Sequence, residues 1–423
     1  MRKFEVTLLV ILLLLAGCIS PSHDEELCIV EENVATETVL LEPLDDNMYY
    51  TANIQVADIT GDEDYEIIVT EPSRGLLTIL DECEELCVEH NISQGLIEPL
   101  RAHPYDMNQD GVLDLVVADI GSVWPSTQKV GRVVILYGEA NGSVIDYRPE
   151  VVLEEVGRVT CAEVADLDND GDLDIVVCEF GHFEGGIGWL EQNDSGSFIP
   201  HLLDNRAGAI HAFPHDADGD GDIDIAAVIS QLSEEVVLFR NNNSSFVMEE
   251  LFVAGVDYFG MTGLSIADIE GDGDIDLLFT NGAQWDGDTP YGVDLNELHG
   301  LRLLRNDGYG VYSLENITNA FGAYSTAIID ADDDGDLDIF IGTHQMNQEF
   351  PRAEDVSLLF LVQQENGDFL RFSIDDAPTG LMTISSGYDG TGLLVGSYMP
   401  NEGDAATRLS ALNFQDMEIC NSD

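Results

Sequence analysis

The stretch DLDNDGDLD, Asp166 to Asp174, puts carboxylates at its positions 1, 3, 5, 7 and 9 and a glycine, Gly171, at position 6. Carboxylates this crowded repel one another. At an effective dielectric of about 20, two unit charges about 5 Å apart cost roughly 3 kcal/mol. Such a loop folds readily only around a cation. Hard oxygen ligands at alternate positions, with glycine at the sharp turn, suit Ca²⁺. Asp166, Asp168 and Asp170 are expected to offer side-chain oxygens, Asp174 to close the site, and Gly171 to permit the turn.

The loop recurs along the chain. DADGDGDID supplies Asp216, Asp218, Asp220, Asp222 and Asp224; DIEGDGDID supplies Asp268, Glu270, Asp272, Asp274 and Asp276; DADDDGDLD supplies Asp330, Asp332, Asp334, Asp336 and Asp338. DMNQDGVLD is sparser, with Asp106, Asn108, Asp110, Val112 and Asp114 at the alternate positions. DITGDEDYE is the loosest, with Asp58, Thr60, Asp62, Asp64 and Glu66, and Glu63 where glycine is expected. Five or six Ca²⁺ sites are therefore expected. An EF-hand is the rival reading, but it needs flanking helices and a glutamate at position 12. Position 12 of the DLDNDGDLD loop is Val177, inside an apolar run.

The chain has 423 residues, with 82 acidic against 15 basic and a formal net charge of −67. Nucleic-acid binding is excluded, because phosphate needs a basic stripe. The loops hold 29 of the acids, so most of the excess lies elsewhere. It reads as an acidic surface suited to a saline medium or as a patch for cationic partners. A hydrophobic content of 44% rules out a disordered acidic tail.

The first residues read as an export signal, Met1 to Gly17. Arg2 and Lys3 form the charged start and Val6 to Leu15 the apolar stretch. That run is short for a membrane span of about 20 residues. It ends in Leu15-Ala16-Gly17-Cys18, which resembles the lipobox of prokaryotic lipoproteins. The resemblance implies that Cys18 is lipidated and becomes the first mature residue, that residues 18–27 are a short tether, and that the protein is exported and anchored to the outer side of a prokaryotic membrane. The alternative is an ordinary signal with an incidental cysteine. An exported chain also meets the millimolar Ca²⁺ that weak sites need.

Of seven cysteines, six remain after Cys18. Cys83 and Cys87 are close enough for a local bridge. Cys161 and Cys178 flank the DLDNDGDLD loop almost symmetrically, and Cys28 and Cys420 lie near the two mature ends. These are disulfide candidates, with buried free thiols as the alternative. No spacing fits zinc or c-type haem.

The loops begin at 58, 106, 166, 216, 268 and 330, a period of about 50 to 60 residues. A further unit, Ser385 to Tyr398, keeps the turn glycines but not the acids, so no metal is expected there. Each unit reads alike. A short strand such as Gly208 to His215 enters the loop, and an apolar strand such as Ile225 to Ile229 leaves it. A variable loop, a third strand such as Leu301 to Leu304, an Asn/Asp/Gly turn and a fourth strand such as Tyr312 to Ile317 follow. Four short strands per period make one sheet per repeat, and radial packing of such sheets gives an all-β propeller.

Together the DxDxDGDxD-like loops, Phe259-Gly260 and Phe321-Gly322 ahead of the last two of them, and the turn Leu303 to Gly308 resemble the FG-GAP/VCBS repeats of integrin-α-type propellers. The resemblance runs from about Asp45 to the C terminus. It implies a seven-bladed propeller of four-stranded blades over residues 28–423, with Ca²⁺ between the first and second strands of most blades. It also implies a main-chain carbonyl ligand at position 7, which explains Val112 there. The strand around Cys28 to Leu41 would join strands around Leu409 to Cys420 and close the ring.

On the face opposite the acidic loops, the variable loops carry Trp124, His182, Phe183, Trp285, Tyr291 and His344. They read as a sugar-stacking or protein-contact platform, or as local packing. Arg101, Arg158 and Arg206 lie near the starts of first strands on that face, to meet an anionic group or to neutralise nearby acids. His103, His211 and His215 on first strands read as packing residues or ligands. Trp189 falls in a third strand, in the core. The N-x-S/T sequons at Asn91, Asn141, Asn193, Asn243 and Asn316 sit largely in Asn-rich turns. GxSxG, HExxH and P-loop motifs are missing. The first functional reading is a lipid-anchored, non-catalytic, monomeric binding or adhesion module for glycan or protein ligands, with calcium in a structural role. The alternatives are a propeller-type polysaccharide lyase or hydrolase and a structural envelope component.

Overall fold

A computed structural model describes residues 28–29, 35–41, 50–81, 83, 87–141, 144–181, 184–231, 233–283, 292–332, 334–344, 357–374, 381–387, 392–397 and 408–414. The segments read as signal, lipidated Cys18 and tether lie outside them. So do Cys420, His182, Phe183, Trp285 and Tyr291.

The second strands explain the architecture. Within the strand Asp174–Phe180, Ile175 to Cys178 is an unbroken apolar run rather than an alternation. Val176 and Cys178 pack toward the following sheet, against Ala212, Ala227 and Phe239. Ile175 and Val177 pack toward the preceding one, against Val116, Ala118 and Ile135. Alternate side chains serve opposite faces, so a strand sandwiched between two sheets must be apolar on both. Full burial of each such side chain is worth about 1.5–3 kcal/mol.

Repeated around the molecule, this gives seven antiparallel sheets. Their first strands are Asn53–Ala57, Pro99–Tyr105, Arg158–Ala165, Ala209–His215, Met261–Ala267, Ala323–Ile329 and Leu381–Ser386. Each first strand contacts the next, and Leu381–Ser386 contacts Asn53–Ala57, which closes a ring. Seven apolar clusters fill the seven interfaces; the last joins Leu394 and Leu409 of the seventh blade to Ile54, Ile67 and Val69 of the first. The fourth strands form the rim, and Val247–Val253 is mostly exposed. The fold is a seven-bladed β-propeller. Among the described residues the α-helical content is one short segment, Leu295–Leu298.

Ala35–Leu41 pairs antiparallel with Leu409–Phe414 and so completes the seventh blade from the N-terminal side. Cys28–Ile29 does not join it. That segment runs parallel to Phe369–Ile374 as a fifth strand on the sixth blade. The closure has a polar clasp. Arg408 Nε and Nη2 donate to the Glu71 carboxylate at 2.9 and 2.5 Å, both side chains about 1% exposed. The Thr51 hydroxyl donates to the Arg408 carbonyl at 2.6 Å. Cys161 and Cys178 face each other on adjacent strands and are bonded, as are Cys83 and Cys87. The pairing of Cys28 with Cys420 lies outside the described residues.

Candidate metal centres

Each acidic loop joins the first strand of a blade to its second. In the third loop Asp166 accepts the Asp170 N–H on Oδ1 (3.2 Å) and the Gly171 N–H on Oδ2 (3.1 Å). Asp168 Oδ1 accepts from Asp170 N–H at 3.1 Å, and Asp170 Oδ1 from Asp172 N–H at 2.9 Å. These nested turns wind the backbone about its own carboxylates. Gly171, with φ +94°, sits where a Cβ is strained. Position 4 is also left-handed in the first five loops: Gly61, Gln109, Asn169, Gly219 and Gly271. Asparagine and glycine at that position are the residues that take this conformation most readily. Glu63 occupies position 6 of the first loop at φ +74° and is strained.

In three loops the acids converge. Asp166, Asp168 and Asp174 bring one carboxylate oxygen each within 4.8 Å of one another, as do Asp216, Asp218 and Asp224, and Asp330, Asp332 and Asp338. Each cluster can hold a metal ion, and the all-oxygen donor set is compatible with calcium. The other loops depart from this for visible reasons. Glu270 is turned to Arg305, which also reaches Glu315 at 2.8 Å. The second loop has Asn108 at position 3, its Oδ1 held by Asp110 N–H at 2.9 Å. In the first, Thr60 faces the Glu66 carboxylate at 3.4 Å. At position 7 the Asp222 side chain is tied to its surroundings, accepting from Asn169 Nδ2 at 2.8 Å and Asn243 N–H at 2.9 Å.

The ninth residue does two jobs. Asp174 is fully buried. Its Oδ2 accepts the Leu167 N–H at 2.9 Å and its Oδ1 the Gln192 N–H at 2.8 Å, fastening the loop to the end of the third strand. Burial pushes this carboxyl up to about 7, against the pull of those two donors, and nearby Asp168 and Asp170 raise it further. Asp338 is pushed up to about 7 and Asp224 and Asp276 to about 6, burial again leading. Asp168 and Asp332 are raised by burial and by their acidic neighbours. A bound divalent ion reverses this pressure.

The chain's family is shown by the repeats themselves. A model of the FG-GAP-like repeat matches residues 106–177 and 216–279, which span four of the acidic loops. The protein is an FG-GAP repeat β-propeller. Solved structures similar to this propeller include BBS1N in complex with ARL6DN, soaked with mercury (13% identity, TM-score 0.53, 91% of this chain and 98% of that one). The same pair soaked with lead gives 12% identity and a TM-score of 0.51 over 90% of this chain and 99% of that one. Kuenenia stuttgartiensis hydrazine synthase matches at 12% identity and a TM-score of 0.52, over 84% of this chain and 94% of that one. At such identities the likeness is one of fold. No curated protein matches the chain.

The remaining site residues are scattered. Trp124 is 74% exposed in the loop between second and third strands of the second blade. His344 is not displayed there; it is buried edge-on against Tyr324, ring centroids 5.7 Å apart. Arg206 is held by Asp204 and Glu235 and neutralises them. Arg158 is buried with its guanidinium over Phe180, 4.6 Å from the ring centroid. Arg101 reaches across the ring, Nη2 lying 2.6 Å from His211 Nε2. His103 Nε2 is 3.3 Å from Glu163 Oε1, both buried. His215 Nε2 faces the Tyr312 hydroxyl at 3.1 Å. Trp189 is core, stacked on His201 at 4.7 Å. Asn91 and Asn193, two of the sequon residues, accept the N–H of Ser93 and Ser195 and so build turns.

Proposed function

We propose that this propeller is an exported, lipid-anchored binding module whose acidic loops hold structural Ca²⁺ and whose opposite face takes glycan or protein ligands. The observation that supports the cation is the convergence of three aspartates in each of three loops, with a buried carboxyl at each centre that burial drives toward protonation. The second, fifth and first loops are weaker sites of the same kind, giving up to five or six ions. The exposed indole of Trp124 supports the ligand face: a large apolar ring left in water on a long loop suits a sugar or protein contact. No helix of the described residues is long and apolar enough to cross a membrane, and anchoring is assigned to Cys18.

Melting the protein with calcium and after chelation tests the cation. A site with Kd about 1 mM in about 10 mM Ca²⁺ adds about 1.4 kcal/mol, so three or more sites raise Tm by several degrees; an unchanged Tm refutes the role. Glycan-array binding by wild type and Trp124→Ala tests the face.

A second reading, a polysaccharide lyase or hydrolase, is favoured by one arrangement. Arg101, His211, His103 and Glu163 come together from the first strands of three blades at the centre of the ring. A reducing-end assay on bound sugars separates the readings: release of new ends, lost in Arg101→Gln, marks an enzyme.

A further inference from the structure

Beyond the single loops, one set of hydrogen bonds runs from blade to blade. The residue at the end of the third strand, or directly after it, bonds its own loop through its main chain and the preceding blade's loop through its side chain. Asn241 N–H donates to Asp224 Oδ1 at 2.6 Å, while Asn241 Nδ2 donates to the Leu167 carbonyl at 2.8 Å. Leu167 lies between Asp166 and Asp168, and its N–H is the one held by Asp174. Asn306 repeats this: its N–H goes to Asp276 Oδ1 at 2.8 Å and its Nδ2 to the Ala217 carbonyl at 2.8 Å. Gln192 joins Asp174 to the Met107 carbonyl at 2.8 and 3.4 Å, and Gln363 joins Asp338 to the Ile269 carbonyl at 2.9 and 3.1 Å.

The links are continuous. Met107, Leu167, Ala217, Ile269 and Ala331 each donate an N–H to the ninth-position aspartate of their own loop. A hydrogen-bonded chain therefore runs from Asp114 in the second blade to Asp338 in the sixth. A second set of contacts reinforces part of it: Gln109 Nε2 donates to the Gly171 carbonyl at 2.9 Å and Asn169 Nδ2 to Asp222 Oδ1 at 2.8 Å. The chain begins at the second blade because Gly138 stands where the amide would be. It holds Asp114 through its N–H at 2.8 Å but has no side chain to pass on.

We propose that Gln192, Asn241, Asn306 and Gln363 are positioning residues that couple the loops of blades two to six, so that cations enter them cooperatively. The inference rests on the cation reading above. An ion that draws Asp216, Asp218 and Asp224 together fixes Asp224, hence Asn241, hence the Leu167 carbonyl between two acids of the neighbouring loop. Ordering one loop lowers the ordering cost left to the next, which is positive coupling. The bonds are buried, and those from Asn241 and Gln363 to the preceding loop, 2.8 and 3.1 Å long, are of ordinary length, so each such link lost is expected to weaken the affected sites by about tenfold.

Calorimetric titration of the full chain with Ca²⁺ tests this, using wild type, Asn241→Ala and Gln363→Met. The second variant deletes the donor together with a buried Oε1 that has no partner among the described residues, so it threatens folding least. Wild type is expected to bind with a Hill coefficient above about 1. Both variants are expected to keep the number of ions, since no carboxylate is touched, while the Hill coefficient falls and the Tm deficit is larger in calcium than in chelator. An unchanged Hill coefficient, with the same Tm deficit in both media, assigns the amides a structural role only and overturns the coupling. Failure of wild type to take up Ca²⁺ at all overturns the cation reading and the coupling with it.

Discussion

Replacing Asp174 separates what the loop carboxylates do as fasteners from what they do as ligands. Asp174 accepts two main-chain bonds, from Leu167 and Gln192, in a site closed to water. Asp174→Ala leaves both donors buried and unpaired, at about 1–3 kcal/mol each. Asp174→Asn keeps one acceptor and points an amide N–H at the other donor, so it should cost about half as much. An unfolding entropy of about 2.1 cal/mol/K per residue gives roughly 0.8 kcal/mol/K for a cooperative unit of some 400 residues. The alanine variant should then melt about 2–7 °C below wild type in chelator, and the asparagine variant between the two. Differential scanning calorimetry reads this directly. Calcium should widen both gaps, because each variant also weakens a ligand. A chelated alanine variant that melts with wild type would refute the fastening role and leave Asp174 as a ligand alone.

Three further outcomes follow from named residues. Because the folded carboxyls of Asp174 and Asp338 are lifted to about 7 and those of Asp224 and Asp276 to about 6, the calcium-free fold keeps their full contribution below the ordinary carboxylate range, about 4. It loses that contribution as pH rises through 6 to 7. Tm in calcium-free buffer should fall from pH 5 to pH 8, and the gap to the calcium-loaded protein should grow; parallel curves refute the linkage. Glu63→Gly should stabilise by about 1 kcal/mol by relieving a left-handed backbone, seen as a small rise in denaturant midpoint with no change in slope. Arg408→Met leaves the buried Glu71 charge alone and should cost about 3–5 kcal/mol, whereas the double variant Arg408→Met/Glu71→Leu should recover much of it.

The parts of the fold that lie in short windows were readable from sequence. Alternating acids with a glycine announce the loops. The apolar run Ile175 to Val177 announces a strand covered on both faces. Even the ring closure is local at each end, since Ala35–Leu41 and Leu409–Phe414 both look like strands. Contacts that span blades were not readable. Asn241 and Asn306 sit in stretches rich in turn residues, so their amides pass for turn chemistry, although they reach 74 and 89 residues back. Arg101 meets His211 across 110 residues. Glu270 differs in that its partner is in its own blade: its charge and spacing read as a ligand, while Arg305, on the third strand and 35 residues away, pairs with it. Cys28–Ile29 went to the sixth blade rather than the seventh because pairing with Phe372 and Ser373 is a matter of position in space.

Two fastening systems divide the ring. Apolar clusters hold every blade interface at mid-height, including the one between the seventh blade and the first. The amide–carboxylate chain adds a polar seam along one face, from the second blade to the sixth. The seventh unit carries no acidic loop, and it is there that Ala35–Leu41 pairs with Leu409–Phe414. Arg408, Glu71 and Thr51 provide the polar bonds at that closure. Calcium should therefore stiffen an arc of five blades and leave the closing blades to the clasp. If so, amide hydrogen exchange in Leu167 and Ala217 should slow on adding Ca²⁺ far more than in Leu409–Phe414, and equal slowing in both would mean that the ring responds as one body.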